Sequence, residues 1–198
     1  MIDTLTNPPE NRAARRTRQA LLDAGLQLIM QKGYDAVKVT DIVRLADYGR
    51  STFYVHFKDK EDLAWALLRY QMTELDRFIG EQVSGLDSPQ REHKAWLLIF
   101  QAIDRQREFF QQMDGELALR LRHWQVEQLN ATFTKQLEAG VFSLMLDVPA
   151  PIAARFVVGA LVQVLDYWLE NPDTGDAQYM ADLFFTLVYR EKPIHSTP

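Results

Sequence analysis

The sequence contains no cysteine. This excludes disulfide bonds, zinc–thiolate sites and thiol catalysis. It also has no run of eighteen apolar residues and no apolar leader in the first eleven, so we expect neither a membrane span nor a secretory signal. A recognisable nucleophile, a glycine-rich phosphate loop and a His/Glu metal cluster are missing too, which argues against an enzyme. We therefore expect a cytoplasmic protein without a cofactor.

Positive charge is concentrated near one end of the chain. The whole chain has a net charge of −5, yet residues 11–60 contain ten basic and five acidic side chains. That block is therefore +5, and the remainder of the chain is −10. A basic segment on an acidic chain is typical of a protein that presents one end to phosphate. The alternative is a chance fluctuation of surface charge.

Helical periodicity dominates the sequence, and strand signals are nearly absent. Apolar residues recur at helical spacing over 12–32, and Gly33 follows as a helix stop. Further helices are predicted over 41–46, 50–56, 59–82, 89 onward, 107–113, 116–138, 151–169 and 176–190. We predict an all-α protein with a disordered arm at 1–11 and an N-terminal three-helix helix-turn-helix domain at 12–58. A helical-bundle domain for effector binding and dimerisation follows at 59–192, with a frayed tail at 193–198.

Three helix starts are marked by capping patterns. Thr40 is the predicted N-cap of the second helix, with Asp41 in its first turn. Asp59 is the predicted cap of the long fourth helix. Ser88 is the predicted cap of a helix whose first residue is Pro89.

Residues 40–60 carry the pattern that points to function. Two short helices with apolar inner faces are separated by a three-residue break at 47–49, which is typical of a helix-turn-helix. The second helix of this motif enters the DNA major groove, where its first residues reach base edges. Arg50, Ser51 and Thr52 hold these positions. Arginine can form two hydrogen bonds with guanine, and the two hydroxyls can bond several bases.

The run GRSTFYVHFKDKEDL at 49–63 closely resembles the signature of the tetracycline-repressor (TetR) family. Upstream, KGY at 32–34 and VTDI at 39–42 fit the same pattern, so that the resemblance covers about residues 12–65. It implies a homodimeric DNA-binding regulator, most often a repressor, whose body binds a small molecule. By this resemblance and the residue chemistry, the side chains expected to contact DNA are Thr40, Arg44, Tyr48, Arg50, Ser51, Thr52, Tyr54, His56 and Lys60.

The sequence departs from the family pattern in the turn. Asp47 stands where the family often has glycine, and Tyr48 stands where it often has valine. Aspartate tolerates the left-handed backbone, so we expect the turn to be preserved. The larger Tyr48 could face the DNA instead of only packing.

Each predicted contact has a structural alternative. Tyr54 could be a core residue, His56 a helix cap and Lys60 only a first-turn residue. The arginines at 12, 15 and 16 could form a solvated helix face instead of touching phosphate or the minor groove.

Large apolar side chains are dense between residues 96 and 133. Helical bundles build ligand sites between such helices. The predicted effector pocket comprises Trp96, Phe100, Phe109, Phe110, Met113 and Trp124. The alternative is that these are ordinary core residues. His93 and His123 have no second ligand at convincing spacing, so we predict no metal site.

The segment 151–169 is apolar nearly all round, and Gly159–Ala160 allow another helix to approach closely. With the last helix it is predicted to form half of an antiparallel four-helix dimer interface. The alternative is that both helices belong to the core of the monomer.

These patterns together predict a repressor that a small-molecule effector releases from a palindromic double-stranded DNA operator. The alternative is a DNA-binding protein of the same fold without an effector, in a partner-controlled or structural role. A closed core in the middle helices would favour the alternative, and an open apolar cavity would favour the first.

Overall fold

The computed structural model describes residues 12–107, 115–144 and 148–189. All regular structure in these ranges is helical, as predicted. The α-helices are α1 (Arg12–Lys32), α2 (Val39–Leu45), α3 (Arg50–His56), α4 (Lys60–Val83), α5 (Gln90–Arg105), α6 (Gly115–Glu138), α7 (Ala150–Glu170) and α8 (Ala177–Tyr189). A 3-10 helix, Pro172–Thr174, precedes α8. The described residues form two compact units, which meet in sequence between Tyr70 and Gln71.

The first unit is organised around the apolar stripe of α1. Leu21, Leu22 and Ile29 are buried at the helical spacing that predicted this helix. Gly25 lies on the same side, where an added Cβ would approach Leu63 Cδ2 of α4 to 2.7 Å. A larger residue at 25 would therefore force the Leu63 side chain to shift. Gly33 closes α1 with a φ of +77°, as expected for a helix C-terminus.

The start of α2 differs from the prediction. The helix begins at Val39 with Lys38 as its N-cap, so Thr40 lies inside the first turn. The Asp41 carboxylate accepts a hydrogen bond from the backbone N–H of Lys38 at 3.3 Å. An acidic side chain at the third helical position thus supplies the capping interaction that we assigned to Thr40.

The turn between α2 and α3 is closed by a left-handed residue. Asp47 has a φ of +58°, and the N–H of Tyr48 donates to the carbonyl of Val43 at 2.8 Å. The predicted tolerance of aspartate for this backbone region is confirmed. Asp59 caps α4 as predicted, because its Oδ1 accepts a hydrogen bond from the N–H of Asp62 at 2.8 Å.

The second unit has an aromatic core. Trp96 and Phe100 of α5 pack against Phe184 of α8, with ring centroids 4.9 and 6.0 Å apart. Phe100 also contacts Trp168 of α7, which is fully buried. The first residue of α5 is Gln90, so the predicted Ser88 cap is displaced and Pro89 occupies the N-cap position. The helix predicted over 107–113 lies almost entirely outside the described residues.

Helix α7 has one buried and one exposed face. Its inner side packs into the core, whereas Ile152, Phe156 and Tyr167 are exposed on the outer side. Among the described residues it is the one helix long and apolar enough to cross a membrane by length and composition, with a mean hydropathy of 1.5. That property alone is weak evidence, because the core helix of a soluble protein shares it. An apolar exposed face on a partly buried helix is also typical of a protein–protein interface.

Candidate nucleic-acid interface

Helix α3 has an inner and an outer face with different chemistry. Phe53 is fully buried, and Phe57, which follows the helix, is 2% exposed. With 3.6 residues per turn, Ser51 and Val55 lie on the side opposite Phe53. Both are exposed, and Val55 is 79% exposed. Neither outer side chain is needed to hold the helix in place, so both are available to a partner.

The flanks of this outer face hold the predicted polar residues. Arg50, the first residue of α3, is exposed, and Tyr54 is 52% exposed. The alternative that Tyr54 is a core residue is therefore wrong. Thr52 and His56 are half-buried at the edges of the face, and the His56 ring lies 6.5 Å from that of Phe57.

Helix α2 contributes two exposed side chains, Thr40 and Arg44. Arg44 remains 77% exposed while its Nη2 lies 3.1 Å from Asp41 Oδ1. Asp41 also accepts a hydrogen bond from Lys32 Nζ at 2.7 Å, and this bond is the main cause that lowers the pKa of the Asp41 carboxyl. Asp41 therefore orients Arg44 without burying its guanidinium.

Tyr48 both packs against the protein and keeps part of its side chain exposed. Its side chain is 38% exposed, and its hydroxyl is 3.5 Å from the Thr17 hydroxyl of α1. The Tyr48 side chain therefore contacts α1 while part of it remains exposed to solvent.

Lys60 is turned toward the chain between α1 and α2. Its Nζ donates to the Tyr34 carbonyl at 2.9 Å and lies 4.0 Å from the centre of the Tyr34 ring. Partial burial lowers the pKa of Lys60. Burial, followed by the charge of Glu61, raises the pKa of Tyr34 to about 12. Lys60 thus stabilises this unit, and its predicted contact with DNA phosphate stays a prediction.

The beginning of α1 adds exposed positive charge. Arg12, Arg15 and Arg16 are all exposed. Arg18 instead lies over the Phe57 ring, 5.1 Å from its centre. Exposure of the first three fits both the phosphate-contact and the solvated-face interpretation.

Comparison with known proteins identifies the motif. Residues 21–67 match the family model described as bacterial regulatory proteins, tetR family. This range contains α2, the turn, α3 and the start of α4. This segment of the chain belongs to the tetR family.

Individual relatives cover the chain to different extents. Over 76 residues, 38% of the chain, it is 38% identical to the uncharacterized HTH-type transcriptional regulator YwcC of Bacillus subtilis strain 168. That match spans about a third of the relative, 32% of its length. A putative TetR-family regulator from Syntrophomonas wolfei has a TM-score of 0.67 at 20% identity, covering 87% of this chain and 93% of the other. The structure of AibR with isovaleryl coenzyme A and operator DNA has a TM-score of 0.53 at 17% identity, with coverages of 87% and 98%. These structures show that the fold is shared.

The predicted effector residues fall into three groups. Trp96 is 3% exposed and Phe100 is fully buried in the aromatic core, whereas Trp124 of α6 is half-buried. The other three, Phe109, Phe110 and Met113, lie outside the described residues. At Trp96 and Phe100, close aromatic packing favours the ordinary-core alternative. The pocket as a whole stays a prediction.

His93 has a partner that sequence spacing could not reveal. Its Nε2 lies 2.6 Å from Asp182 Oδ1 of α8, 89 residues away, and Gln178 also donates to that oxygen. In the described part of the chain, no group of three or more His, Cys, Asp or Glu side chains is placed to hold a metal ion.

The sequence interpretation omitted Val55 because it selected polar side chains. A signal was available: Val55 follows Ser51 by four residues and precedes the buried Phe57 by two. Helical spacing therefore places it on the outer face of α3 beside the predicted base contacts.

Proposed function

We propose that this protein is a homodimeric transcriptional repressor that binds a palindromic operator through α3 and is released by a small-molecule effector. The observation that carries the proposal is the outer face of α3, where Ser51 and Val55 are exposed opposite a buried Phe53 and Arg50 and Tyr54 are exposed on the flanks. The match of residues 21–67 to a family of bacterial regulatory proteins supports it. Binding to DNA in a bacterial cell also implies a cytoplasmic location.

Dimerisation is supported by the exposed apolar faces of the last two helices. On α7, Ile152, Phe156 and Tyr167 are 57–61% exposed, and on α8 Tyr179 and Leu187 are 52% and 62% exposed. Water contact with so many large apolar groups on neighbouring helices is unfavourable for a monomer. A second copy of the same face would cover them by two-fold symmetry. The monomer-core alternative accounts only for the inner sides of these helices.

Effector control is supported by the shared fold. AibR has been solved with both a ligand and operator DNA, and its fold extends over most of this chain. A ligand that binds one arrangement of the dimer more tightly shifts the population toward it, and a coupling of roughly 1–3 kcal/mol changes operator affinity about 5- to 150-fold. The effector-free alternative is favoured only by the close packing of Trp96 and Phe100.

The proposed DNA binding is tested by selecting sites from a pool of random duplexes with the full-length protein. We expect a palindromic consensus and a binding constant that falls steeply as salt is raised, because phosphate contacts release counterions. Arg50→Ala should weaken the selected operator by roughly 1–3 kcal/mol while leaving random DNA nearly unaffected, if Arg50 bonds a guanine. Arg77→Ala is the matched control, since Arg77 lies outside the motif between Glu74 and Glu81. Failure to enrich any sequence would refute the proposal.

A further inference from the structure

The Asp41 carboxylate of α2 joins three parts of the first unit. Its Oδ2 atom accepts hydrogen bonds from Lys32 Nζ, at the end of α1, and from the backbone N–H of Lys38, the N-cap of α2, at 2.7 and 3.3 Å. Its Oδ1 atom accepts a hydrogen bond from Arg44 Nη2 at 3.1 Å. The two donors on Oδ2 fix the orientation of the carboxylate. Oδ1 therefore offers Arg44 an acceptor in a defined direction.

The guanidinium of Arg44 is held in this way without being covered. The Arg44 side chain is 77% exposed, whereas the Asp41 side chain is 22% exposed. A guanidinium has five N–H donors in a planar fork, and the hydrogen bond to Asp41 uses one of them. The remaining donors can bond a phosphate or a base edge. An arginine that is already oriented loses less side-chain entropy when it forms these bonds.

The same carboxylate lowers the positive charge of this surface. Lys32 and Arg44 carry two positive charges, and Asp41 reduces the net charge of the group to +1. The hydrogen bond from Lys32 is the main cause that lowers the pKa of the Asp41 carboxyl, which is therefore ionised at neutral pH. Attraction between cations and phosphate is independent of sequence and supplies essentially all binding to random DNA. The charge of Asp41 therefore weakens binding to every DNA sequence alike.

We propose that Asp41 is a positioning residue that acts through Arg44 to raise the preference of this protein for its operator over other DNA. A fixed Arg44 helps only in the docked complex, where a DNA group lies at the matching place. The inference rests on the proposed DNA-binding role of α2 and α3. A carboxylate that only capped α2 would need the hydrogen bond from Lys38 and neither of the two cations.

The test compares Asp41→Asn with the wild-type protein on the selected operator and on a random duplex of the same length, over a range of salt concentrations. The asparagine oxygen can still accept the hydrogen bond from Lys38, so the fold should be retained. The random duplex should bind roughly two- to fivefold more tightly for each bound subunit, in line with the strength of an exposed ion pair. The slope of log affinity against log salt should steepen by up to about 0.9 per subunit. The operator should gain less, so that the ratio of operator to random affinity falls.

Three further variants separate charge from positioning. Asp23→Asn removes an exposed carboxylate from α1, where Asp23 Oδ1 accepts a hydrogen bond from Gln19 at 2.8 Å, and should leave the affinity ratio unchanged. Asp41→Glu keeps the charge and is the usual residue at this position of a capping box, so its salt slope should match the wild type. In an Arg44→Ala background, Asp41→Asn should no longer alter the ratio, because the side chain through which Asp41 acts is missing.

The outcomes distinguish the inference from simpler roles of Asp41. An equal gain on both DNAs in Asp41→Asn would show that the carboxylate acts only as a charge. An equal loss on both, with a lower melting temperature, would reduce it to a helix cap. Either result would overturn the inference while the operator preference of the wild type stands. A wild-type protein that prefers no sequence would instead refute the proposed function, and the inference with it.

Discussion

Shortening Val55 to alanine tests whether the outer face of α3 reads the methyl groups of thymine. Apolar side chains recognise thymine through its C5-methyl group in the major groove. Val55 is 79% exposed, so nearly all of its apolar surface is available for such a contact. The prediction rests on the proposed DNA-binding role of α3.

The magnitude follows from the surface that the contact can remove from water. Valine to alanine deletes two methyl-sized groups, each worth roughly 0.8 kcal/mol when fully buried. Scaled by the 79% exposure, the upper limit is about 1.3 kcal/mol, a factor of about eight in affinity for each half-site. The folded state should lose little, because the side chain does not pack in the core.

The assay is fluorescence anisotropy with the selected operator, in which each thymine is replaced in turn by uracil. Wild-type protein should lose affinity at the one or two positions whose methyl group touches Val55. Val55→Ala should bind more weakly and should no longer distinguish thymine from uracil there. Val141→Ala, at an exposed valine in the second unit, is the control and should match the wild type. Retention of the full thymine preference by Val55→Ala would show that Val55 does not read these bases.

Three further predictions concern assembly and stability. Phe156→Glu should convert the proposed dimer into a species whose mass by light scattering is near the 23.0 kDa of one chain. Leu119→Glu, at another exposed apolar position, should remain dimeric. An unaltered mass for Phe156→Glu would place the interface elsewhere. Lys60→Met should lower the stability of the first unit by about 1 kcal/mol in chemical denaturation, since it removes a charged hydrogen bond to the Tyr34 carbonyl from a partly exposed site. Burial raises the pKa of Tyr34 in the folded state to about 12, whereas its pKa in the unfolded chain is about 10. The neutral Tyr34 hydroxyl therefore contributes fully to the free energy of unfolding below a pH of about 10, and this contribution is lost as the pH rises from about 10 through 12. Denaturation midpoints followed by circular dichroism should therefore fall over this range more steeply in the wild type than in Tyr34→Phe, and equal slopes would contradict the argument.

The helices were predictable from sequence because each buries one stripe. In α1 the buried leucines recur at helical spacing, and Gly33 ends the helix. The error at α2 arose because capping was assigned to the residue with the usual side chain, Thr40. The interaction is made from within the helix by Asp41. Local sequence contains both options, and only the backbone geometry decides between them.

The candidate DNA-binding residues could be assigned because a short motif fixes their spacing, yet their environments could not. Nothing near Lys60 in sequence indicates that its ammonium group reaches the carbonyl of Tyr34, 26 residues earlier. The same holds for Glu92. A glutamate in the first turn of a helix normally faces water, whereas Glu92 is buried and accepts a hydrogen bond from Ser143, 51 residues later in the chain. Such long-range contacts leave no periodic signal.

The division of α3 into a packed side and a free side has an evolutionary consequence. The fold depends on Phe53, whereas Ser51 and Val55 point away from it. Mutations at 51 and 55 can therefore accumulate without unfolding the protein, so that, under the proposed function, a duplicated gene can acquire a new operator while the rest of the fold stays unchanged. A combinatorial library at these two positions should consist mostly of folded variants. It would offer a direct route to proteins that share this scaffold and bind different DNA sequences.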